Sequence, residues 1–362
     1  MRGRRKFDHL RLAQALEDGP GDTGFGDIHF VHNCLPELDS REINTECSFC
    51  GRVISVPLII NAITGGIEEG KMVNRALARA ARQLSLPMAV GSQTAALEEI
   101  EVSSSFQIAR EENPDGFLMA NLSASASVQK ALQAIEMIRA DALQLHLNVP
   151  QEVMMPSGEG DSSFKGILEN IRQIARSVPV PVIVKETGFG MAREEVLRLL
   201  GQGIAALGID GKGGTNFVKI EGERQWKGFQ GQKKAASLLD WGLPTAVSLI
   251  EAAEAVASAG AQKVGIIAAG GVRSGLDIAK SLSLGAAAAA VAGPLVKCYY
   301  KGGEEAIIIY LSGLIKELRQ AMLMLGAKDI FQLQQRPLVI LGDTCKWLEQ
   351  RGITIERFTR RG

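Results

Sequence analysis

Residues 142–152 read ALQLHLNVPQE, and the first part of this stretch decides how the chain is predicted to fold. From Leu143 to Leu147 every second residue is leucine, and the residues between them are polar. Because successive side chains of a strand point to opposite faces, the alternation predicts a strand with one apolar and one polar face. A half-buried surface strand would give the same pattern. The neighbouring apolar runs, however, have the composition of fully buried strands, so the polar face needs another explanation.

Apolar, extended segments recur along the chain, with amphipathic helical stretches such as MVNRALARAARQL (72–84) between them. The eight segments are PLIINA (57–62), PMAVGS (87–92), GFLMANLS (116–123), ALQLHLN (142–148), PVIVKET (181–187), AALGIDG (205–211), KVGIIAAGG (263–271) and AAAAAVAGP (286–294). The alternation predicts parallel strands joined by helices, and eight such units are typical of a closed (β/α)8 TIM barrel. A doubly wound open sheet is the alternative. Its first strand should run into a G-x-G-x-x-G turn, which NAITGG (61–66) does not match.

The chain is predicted to have two regions. Residues 1–56 precede the first strand and form an N-terminal extension, whereas 57–362 form the barrel with C-terminal helices. The connection after the sixth strand, roughly 212–246, is unusually long and contains the polar cluster KIEGERQWKGFQGQKK (219–234). Long loops in compact domains usually serve as active-site lids or are disordered.

Composition limits the classes of function. Hydrophobic residues make up 46% and charged residues 22%, as in globular proteins with a large core. A formal net charge of zero argues against a broad surface for nucleic acid or anionic membranes. Five scattered cysteines do not suggest a disulfide framework, so a reducing, cytoplasmic location is expected. The N-terminus has no apolar signal region, and the longest apolar run, Leu284–Val296, is too short to span a bilayer.

The barrel explains the polar face of the fourth strand. Functional groups of TIM barrels lie at the carboxyl ends of the strands, so polar side chains there line the mouth. The sequence therefore predicts an active site that includes His146, Asn148, Gln151 and Glu152. The alternative is a hydrogen-bonded core histidine followed by an ordinary polar turn.

Other strands end in the same way. The polar residues at the ends of the first three strands are Asn61, Ser92, Gln93, Asn121 and Ser123. On the fifth strand, Lys185 shares a face with Ile183, and a lysine inside an apolar strand requires an anion or an electron-rich partner. An ion pair with Glu186 or Asp210 is the structural alternative for Lys185.

Glycine-rich turns follow the last three strands: DGKGGTNF (210–217), AAGGVRSG (268–275) and VAGP (291–294). Glycines let backbone N–H groups approach phosphate oxygens, and the helix that follows adds a positive N-terminal end. Glycines also end strands for simple turn reasons, but consecutive units of this kind favour a phosphate site. A phosphate-bearing cofactor across the barrel mouth would meet amides and Lys185 around its ring and glycines around its phosphate.

The extension contains a lone C-x-x-C in ECSFCGR (46–52), with His32 and Cys34 nearby. A zinc site is conceivable, but such sites usually show two paired clusters at regular spacing. Incidental thiols are the preferred interpretation.

Taken together, these motifs resemble the FMN-dependent type 2 isopentenyl-diphosphate isomerases over the whole chain. The matching segments are RRKFDHL (4–10), DIHFVHNCLPEL (27–38), INAITGG (60–66), AVGSQ (89–93), ANL (120–122), LQLHLNVPQE (143–152), VIVKETGFGM (182–191), GGTNF (213–217), AAGGVRSGLDIAKSLSLGA (268–286) and AGP (292–294). Two departures are an alanine in AAGG (268–271), where relatives often have serine, and a poorer match at 218–236.

The resemblance implies a role for each site residue. The flavin ring and ribityl chain would be held by Ala62, Ile63, Thr64, Ser92 and Asn121, with Lys185 at the N1/O2 edge of the ring. The FMN phosphate side would be formed by Thr215, Gly270, Gly271, Val272, Arg273, Ala292 and Gly293. The substrate diphosphate would be bound by Arg5, Lys6 and His9. Gln151 would touch the substrate, and Glu152 would help to hold Mg²⁺. His146 and Asn148 are added to the substrate site because of the polar face of the fourth strand.

The implied activity is interconversion of isopentenyl and dimethylallyl diphosphate by proton addition and removal. The alkene carries no carbonyl to stabilise charge, so ordinary acid–base side chains are poorly matched to this chemistry and reduced flavin suits it better. NAD(P)H is the expected reductant. The resemblance also implies a homo-oligomer, a tetramer or octamer. Because Arg5 and Lys6 lie far out in the extension, they are expected to be able to reach a neighbouring subunit's site.

Three competing functions fit the sequence less well. Hydroxy-acid oxidases need a histidine base late in the barrel, but the four histidines here precede the fifth strand. A nucleotide dehydrogenase with a thiol nucleophile should carry cysteine after the sixth strand, and GKGGTNF (211–217) has none. A non-catalytic flavin- or phosphate-binding protein gives no reason for the polar face of the fourth strand.

Overall fold

Eight parallel strands close on themselves at the centre of the molecule in a computed structural model that describes residues 2–156, 158–225 and 236–361. The barrel strands, numbered one to eight in chain order, are Leu58–Ile60, Met88–Ala89, Leu118–Ser123, Ala142–His146, Val182–Lys185, Ala206–Gly208, Gly265–Ala268 and Ala288–Val291. Strand eight pairs in parallel with strand one, with Val291 opposite Ile60, which completes the closure. The predicted (β/α)8 barrel is confirmed, and each strand lies within its predicted segment.

Side chains alternate across the barrel wall as the period-2 patterns predict. On strand five, Val182 and Val184 pack outward against the helices, whereas Ile183 belongs to a separate apolar cluster inside the barrel. The alanine-rich eighth strand places Ala288 and Ala290 in the same inner cluster. These small side chains fit the narrow interior, which explains why an alanine run forms a strand here despite the low strand propensity of alanine.

Helices cover the outside of the barrel and continue beyond it. They are α1 (Arg2–Ala15), α2 (Glu68–Leu84), α3 (Thr94–Glu98), α4 (Ser104–Glu112), α5 (Val128–Ile138), α6 (Val149–Met154), α7 (Ile167–Ser177), α8 (Arg193–Leu200), α9 (Phe217–Gln225), α10 (Thr245–Ser258), α11 (Gly275–Ser283), α12 (Gly293–Leu325), α13 (Ile330–Gln334), α14 (Gly342–Gln350) and α15 (Glu356–Thr359). Short 3-10 turns occur at Phe25–Asp27, Ser40–Glu42, Ile100–Val102 and Ala236–Leu238. In the described part of the chain, no helix is both long and apolar enough to cross a membrane.

The N-terminal extension packs against both ends of the barrel. Its helix α1 contacts α9 and α12 beside the mouth, and Leu10 on that helix is 3% exposed. A two-stranded hairpin, Cys47–Phe49 with Arg52–Ile54, lies at the opposite end. There Phe49 is buried edge-to-face against Phe117, with ring centroids 5.8 Å apart. A further strand, Ile28–Phe30, pairs antiparallel with Leu338–Ile340 near the C-terminus.

The C-x-x-C motif lies on this hairpin. Burial raises the pKa of Cys47 to about 11 and that of Cys50 to about 12, so the thiolate form that binds metals is disfavoured. Within residues 2–156, 158–225 and 236–361, no group of three histidine, cysteine or acidic side chains is arranged to hold a metal ion. The motif is part of the hairpin that packs against the end of the barrel opposite the mouth.

Part of the connection predicted as a long loop is helical. Helix α9 begins after Asn216, whose side-chain oxygen accepts the Lys219 backbone N–H at 3.0 Å. This contact satisfies one of the donors left open at a helix start. Val218 and Ile220 on α9 are each 2% exposed, so burial stabilises the helix. Residues 226–235, which include the rest of the predicted polar cluster, lie outside the described residues.

Candidate active site at the carboxyl ends of the barrel strands

A cavity of about 340 Å³ opens at the carboxyl ends of the strands, and residues at or just after the end of every barrel strand line it. Most of the predicted site residues meet there. They are Arg5, Lys6, His9, Ala62, Ile63, Ser92, Asn121, His146, Asn148, Gln151, Glu152, Lys185, Thr215, Gly270, Gly271, Arg273, Ala292 and Gly293. Thr64 and Val272 are buried at 3% and 0% exposure and do not line the cavity. The Thr64 carbonyl accepts the Gly91 N–H at 3.0 Å, so this residue supports a lining residue.

The polar face of strand four forms a hydrogen-bonded chain with strand three. His146 Nδ1 lies 2.8 Å from Asn121 Oδ1, and Asn121 Nδ2 donates to Gln144 Oε1 at 3.1 Å. Because the amide oxygen can only accept, His146 Nδ1 carries the proton and Nε2 is left as an acceptor. Burial, with the positive charges of Lys185, Lys6 and Arg5, lowers the pKa of His146 to about 3. The imidazole is therefore neutral, hydrogen bonded and also part of the cavity wall.

Lys185 lies at the floor of the cavity with 6% exposure. Its Nζ is 3.2 Å from Asp210 Oδ1 and donates to the Glu186 carbonyl at 2.5 Å. The ion pair considered as an alternative for Lys185 is thus present with Asp210, and Glu186 contributes only its backbone. Burial raises the pKa of Asp210, while Lys185 and Asn61 act in the opposite direction. Lys185 both pairs with an acid and presents a cation to the cavity.

The Glu186 carboxylate holds the turn after strand five. Its Oε2 accepts the backbone N–H groups of Thr187 and Phe189, each at 2.6 Å. Burial raises the pKa of Glu186 to about 8, although both hydrogen bonds and Lys185 lower it. Thr187 and Gly188 line the cavity, so the Glu186 side chain fixes the backbone of this part of the cavity wall.

The glycine turns pack against one another at one side of the mouth. An added Cβ at Gly270 would lie 1.9 Å from the Gly211 carbonyl oxygen, and one at Gly214 would lie 2.6 Å from the Gly271 nitrogen. Gly270 and Gly271 also have φ angles of 95° and 79°, a region that favours glycine. No larger residue fits these positions, so the turns present backbone to the cavity.

Helix α12 starts at this glycine-lined side. It begins at Gly293, directly after strand eight, and no side chain caps its N-terminus. Open N–H groups and the helix dipole make such an end a binding site for anions. An added Cβ at Gly293 would come within 2.9 Å of Thr215 Oγ1, so the hydroxyl lies beside the helix start. Arg273 is close by, paired with Asp18 of the extension through contacts of 2.9 and 2.6 Å. These residues fit a phosphate group.

Helix α6 places Gln151 and Glu152. The sequence predicts a tight turn around Pro150, but the chain continues as a helix because proline is tolerated in the first helical turn. Asn148 Nδ2 donates to Glu152 Oε1 at 2.6 Å and to Gln151 Oε1 at 3.3 Å. The backbone N–H of Asp161 donates to Glu152 Oε2 at 2.9 Å. Glu152 is thus half-buried and oriented, unlike a free turn glutamate.

A fully buried carboxylate joins three elements above the cavity. Glu221 on α9 is 0% exposed, accepts from Gln151 Nε2 at 3.0 Å and lies 2.8 Å from His9 Nε2 on α1. Arg224 pairs with its other oxygen. Burial acts to raise the pKa of Glu221, but the hydrogen bonds from His9, Gln151 and Arg224 bring it below its ordinary value. Burial also lowers the pKa of His9, so a neutral imidazole meets a charged carboxylate.

The N-terminal cations reach the mouth of their own barrel. Arg5 Nη1 lies 3.4 Å from Met155 Sδ, and Lys6 Nζ lies 3.4 Å from the Ser92 carbonyl oxygen. Helix α1 folds back over the cavity. The N-terminal end of the extension therefore lies close to the barrel, although many residues separate it from the first strand. Within this chain both residues contact their own barrel, and their reach to a neighbouring subunit stays a prediction.

Sequence reasoning did not identify several residues of the site as functional. Asp18, Glu186, Glu221 and Arg224 carry no local pattern that distinguishes them from surface charges. Glu221 and Arg224 lie in the stretch whose resemblance is weakest. Glu186 and Asp210 were considered only as possible partners for Lys185. The sequence contains only an indirect indication of these residues. The connection after the sixth strand is long and rich in charged residues, and it follows a strand that ends at the predicted cavity.

Close relatives cover the full chain. An isopentenyl-diphosphate delta-isomerase from Symbiobacterium thermophilum is 42% identical over 100% of this chain and 99% of its own. Proteins of the same name from Moorella thermoacetica and Bacillus licheniformis are 43% and 45% identical, each over 97% of both chains. The family model for FMN-dependent dehydrogenases matches residues 159–340.

Solved structures of low sequence identity share the fold. A lactate oxidase from Pediococcus acidilactici superposes with a TM-score of 0.67 at 17% identity, covering 92% of this chain and 87% of that one. A mandelate oxidase variant with an FMN adduct gives a TM-score of 0.62 at 17% identity, covering 92% of both chains. At this identity the likeness shows a common barrel, whereas the full-length relatives show the family. The chain belongs to the FMN-dependent, type 2 family of isopentenyl-diphosphate delta-isomerases.

Proposed function

We propose that this protein interconverts isopentenyl diphosphate and dimethylallyl diphosphate with reduced FMN and Mg²⁺. The observation that carries the proposal is a single cavity with two different anion-binding sides. Glycine turns and the α12 N-terminus lie beyond strands six to eight, while Arg5 and Lys6 approach from strands two to four. One side suits the phosphate of a cofactor and the other a substrate diphosphate.

The residues around the cavity floor suit FMN. Ala62, Ile63, Ser92 and Asn121 would surround the ring and ribityl chain, with Lys185 at the electron-rich edge. The phosphate would be bound by the Gly270–Arg273 turn, Thr215 and the Ala292–Gly293 helix start. Because the glycines pack closely, their backbone groups are exposed to the phosphate there. When bound and reduced, FMN supplies the acid–base group and electron density that an unactivated alkene requires.

The chain's own residues would bind, orient and neutralise the substrate. Arg5 and Lys6 would balance the diphosphate charge, and Glu152 would hold Mg²⁺ against it, since magnesium commonly uses one or two carboxylates with substrate phosphates. Gln151 is fixed from both ends, by Glu221 at its nitrogen and Asn148 at its oxygen. We infer that this fixed amide touches the isoprenoid part of the substrate. His146 and Asn148 complete that wall.

The remaining features are also proposals. NAD(P)H would reduce the flavin before turnover, although the isomerisation has no net redox change. A cytoplasmic location is supported by an odd number of cysteines, five, all of them unpaired in the structure. A homo-oligomer, a tetramer or octamer, rests on family membership alone.

The test begins with the purified protein. It should bind FMN with the visible spectrum of a protein-bound flavin, and under anaerobic, reducing conditions with Mg²⁺ it should convert isopentenyl diphosphate to dimethylallyl diphosphate. Incubation of the oxidised protein with lactate or mandelate is the matched control, because the structurally similar oxidases share the barrel. Flavin reduction by a hydroxy acid, with no isomerisation of the diphosphate, would contradict the proposal.

A further inference from the structure

Three side chains on different strands meet at the floor of the cavity. Asp210 follows strand six, Lys185 ends strand five and Asn61 follows strand one. Asp210 Oδ1 accepts from Asn61 Nδ2 at 2.9 Å and lies 3.2 Å from Lys185 Nζ. Asn61 is itself fixed, since its Oδ1 accepts the Ala62 N–H at 2.9 Å. The position of the lysine ammonium is therefore set by an acid that is held across the barrel.

The backbone at Asp210 is strained. Its φ is 24°, a value that few residues other than glycine, asparagine and aspartate adopt. Strain of this kind persists only where the surroundings impose it and is frequent at functional sites. The carboxylate is 8% exposed, and its Oδ2 has no hydrogen-bond partner among the described residues. The fold thus keeps an incompletely satisfied acid beside Lys185 at the cavity floor.

Gly208 makes room for this carboxylate. An added Cβ at Gly208 would lie 2.7 Å from Lys185 Cβ and 3.0 Å from Asp210 Oδ2. Any side chain there would push the acid and the lysine apart. The pairing of Lys185 with Asp210 therefore depends on three positions of the chain, which are Asn61, Gly208 and Asp210 itself.

We propose that Asp210 is a positioning residue that holds Lys185 at the cofactor ring and sets the reduction potential of the bound flavin. The inference rests on the proposed function, in which Lys185 lies at the N1/O2 edge of FMN. An uncompensated ammonium there would favour the negative charge that the ring gains on reduction. The Asp210 carboxylate offsets that charge and keeps the potential lower. Its effect reaches the ring through Lys185.

Asp210→Asn is the sharpest test. Asparagine tolerates the same backbone conformation and has nearly the same size, but it removes the negative charge. With FMN bound, the variant should show a more positive reduction potential in an anaerobic titration against a reference dye. The expected change is at least about tenfold in the oxidised-to-reduced equilibrium, about 30 mV for a two-electron couple. Asp210→Gly also suits a positive φ and should shift the potential in the same direction.

Asp141→Asn is the matched control. Asp141 also pairs with a buried cation, Arg110, at 2.8 Å, but it lies at the opposite end of the barrel. This variant should lower the melting temperature and leave the potential at the wild-type value. If both Asp210 variants bind FMN with an unchanged potential, the inference is overturned. If the wild-type protein binds no FMN, the proposed function has failed instead, and the two results are distinguishable.

Discussion

The Lys185 side chain forms an ion pair with Asp210 and also lines the cavity. Replacing it with alanine removes the cation from the floor and leaves Asp210 buried without its partner. We expect Lys185→Ala to weaken FMN binding strongly and to lower the free energy of unfolding by about 3 kcal/mol, as for other broken buried pairs. Equilibrium titration of the apoprotein with FMN and denaturant unfolding measure the two effects.

The double variant Lys185→Ala/Asp210→Asn separates these roles. Removing both charges should restore most of the lost stability, because no unpaired charge stays buried. FMN affinity should stay low if the lysine contacts the cofactor. Recovery of wild-type FMN affinity in the double variant would mean that Lys185 is only an ion-pair partner.

His146, half-buried in the cavity wall, predicts a dependence of stability on pH. Its pKa of about 3 in the folded protein lies below the ordinary value of 6.5, so the unfolded chain binds more protons between these values. The contribution is fully present above pH 6.5 and is lost as the pH falls toward 3, with a slope of up to about 1.4 kcal/mol per pH unit. In His146→Asn the free energy of unfolding, measured in urea from pH 4 to 7, should fall less steeply. If the free energy of unfolding changes equally with pH in both proteins, His146 is not the source of the pH dependence.

Glu152 is predicted to act through Mg²⁺. Glutamine keeps the size and can still accept from Asn148 or Asp161, but it lacks the charge that attracts the cation. Glu152→Gln should retain bound FMN and require several-fold more Mg²⁺ for half-maximal activity. Gln151→Ala is the control and should lower turnover without changing the Mg²⁺ requirement. A wild-type Mg²⁺ titration for Glu152→Gln would place the metal elsewhere.

Helix α1 covers the proposed substrate side of the cavity. Its Arg5 and Lys6 line the cavity, whereas Arg11 on the same helix is exposed. The double variant Arg5→Ala/Lys6→Ala should raise KM for isopentenyl diphosphate at least about tenfold, since each lost contact to a charged group contributes about 1.5–3 kcal/mol. FMN affinity and melting temperature should stay near the wild-type values.

Arg11→Ala is the control for this helix, because it removes one positive charge without touching the cavity. Its KM should match that of the wild-type protein. If the double variant and Arg11→Ala have the same KM, the effect of α1 is general electrostatic attraction and not binding at the site.

The sequence predicted elements well where a local period exists. Each barrel strand was located because apolar and polar side chains alternate or because a buried run ends in glycine. Helix α6 was missed because Pro150 was interpreted as a turn residue, although proline also suits a helix start. Helix α9 was missed because its stability depends on burial against other elements, which no local pattern contains.

Closure of the barrel made the position of the site predictable. Carboxyl ends of parallel strands meet at one end of the barrel, so polar residues at those ends converge without further information. Contacts between the extension and the barrel were not predictable in this way. His9 meets Glu221 and Asp18 meets Arg273 across separations of 212 and 255 residues. Such pairs depend on how an irregular segment packs, which period and spacing do not encode.

We propose that this cavity converts isopentenyl diphosphate to its allylic isomer by adding a proton to one carbon and removing a proton from another. The most direct measurement is a proton NMR time course of isopentenyl diphosphate in D₂O with the FMN-loaded, anaerobically reduced protein and Mg²⁺. We expect growth of the methyl signals of dimethylallyl diphosphate, with deuterium entering from solvent. An unchanged isopentenyl diphosphate spectrum, from protein shown to hold reduced FMN, would contradict it.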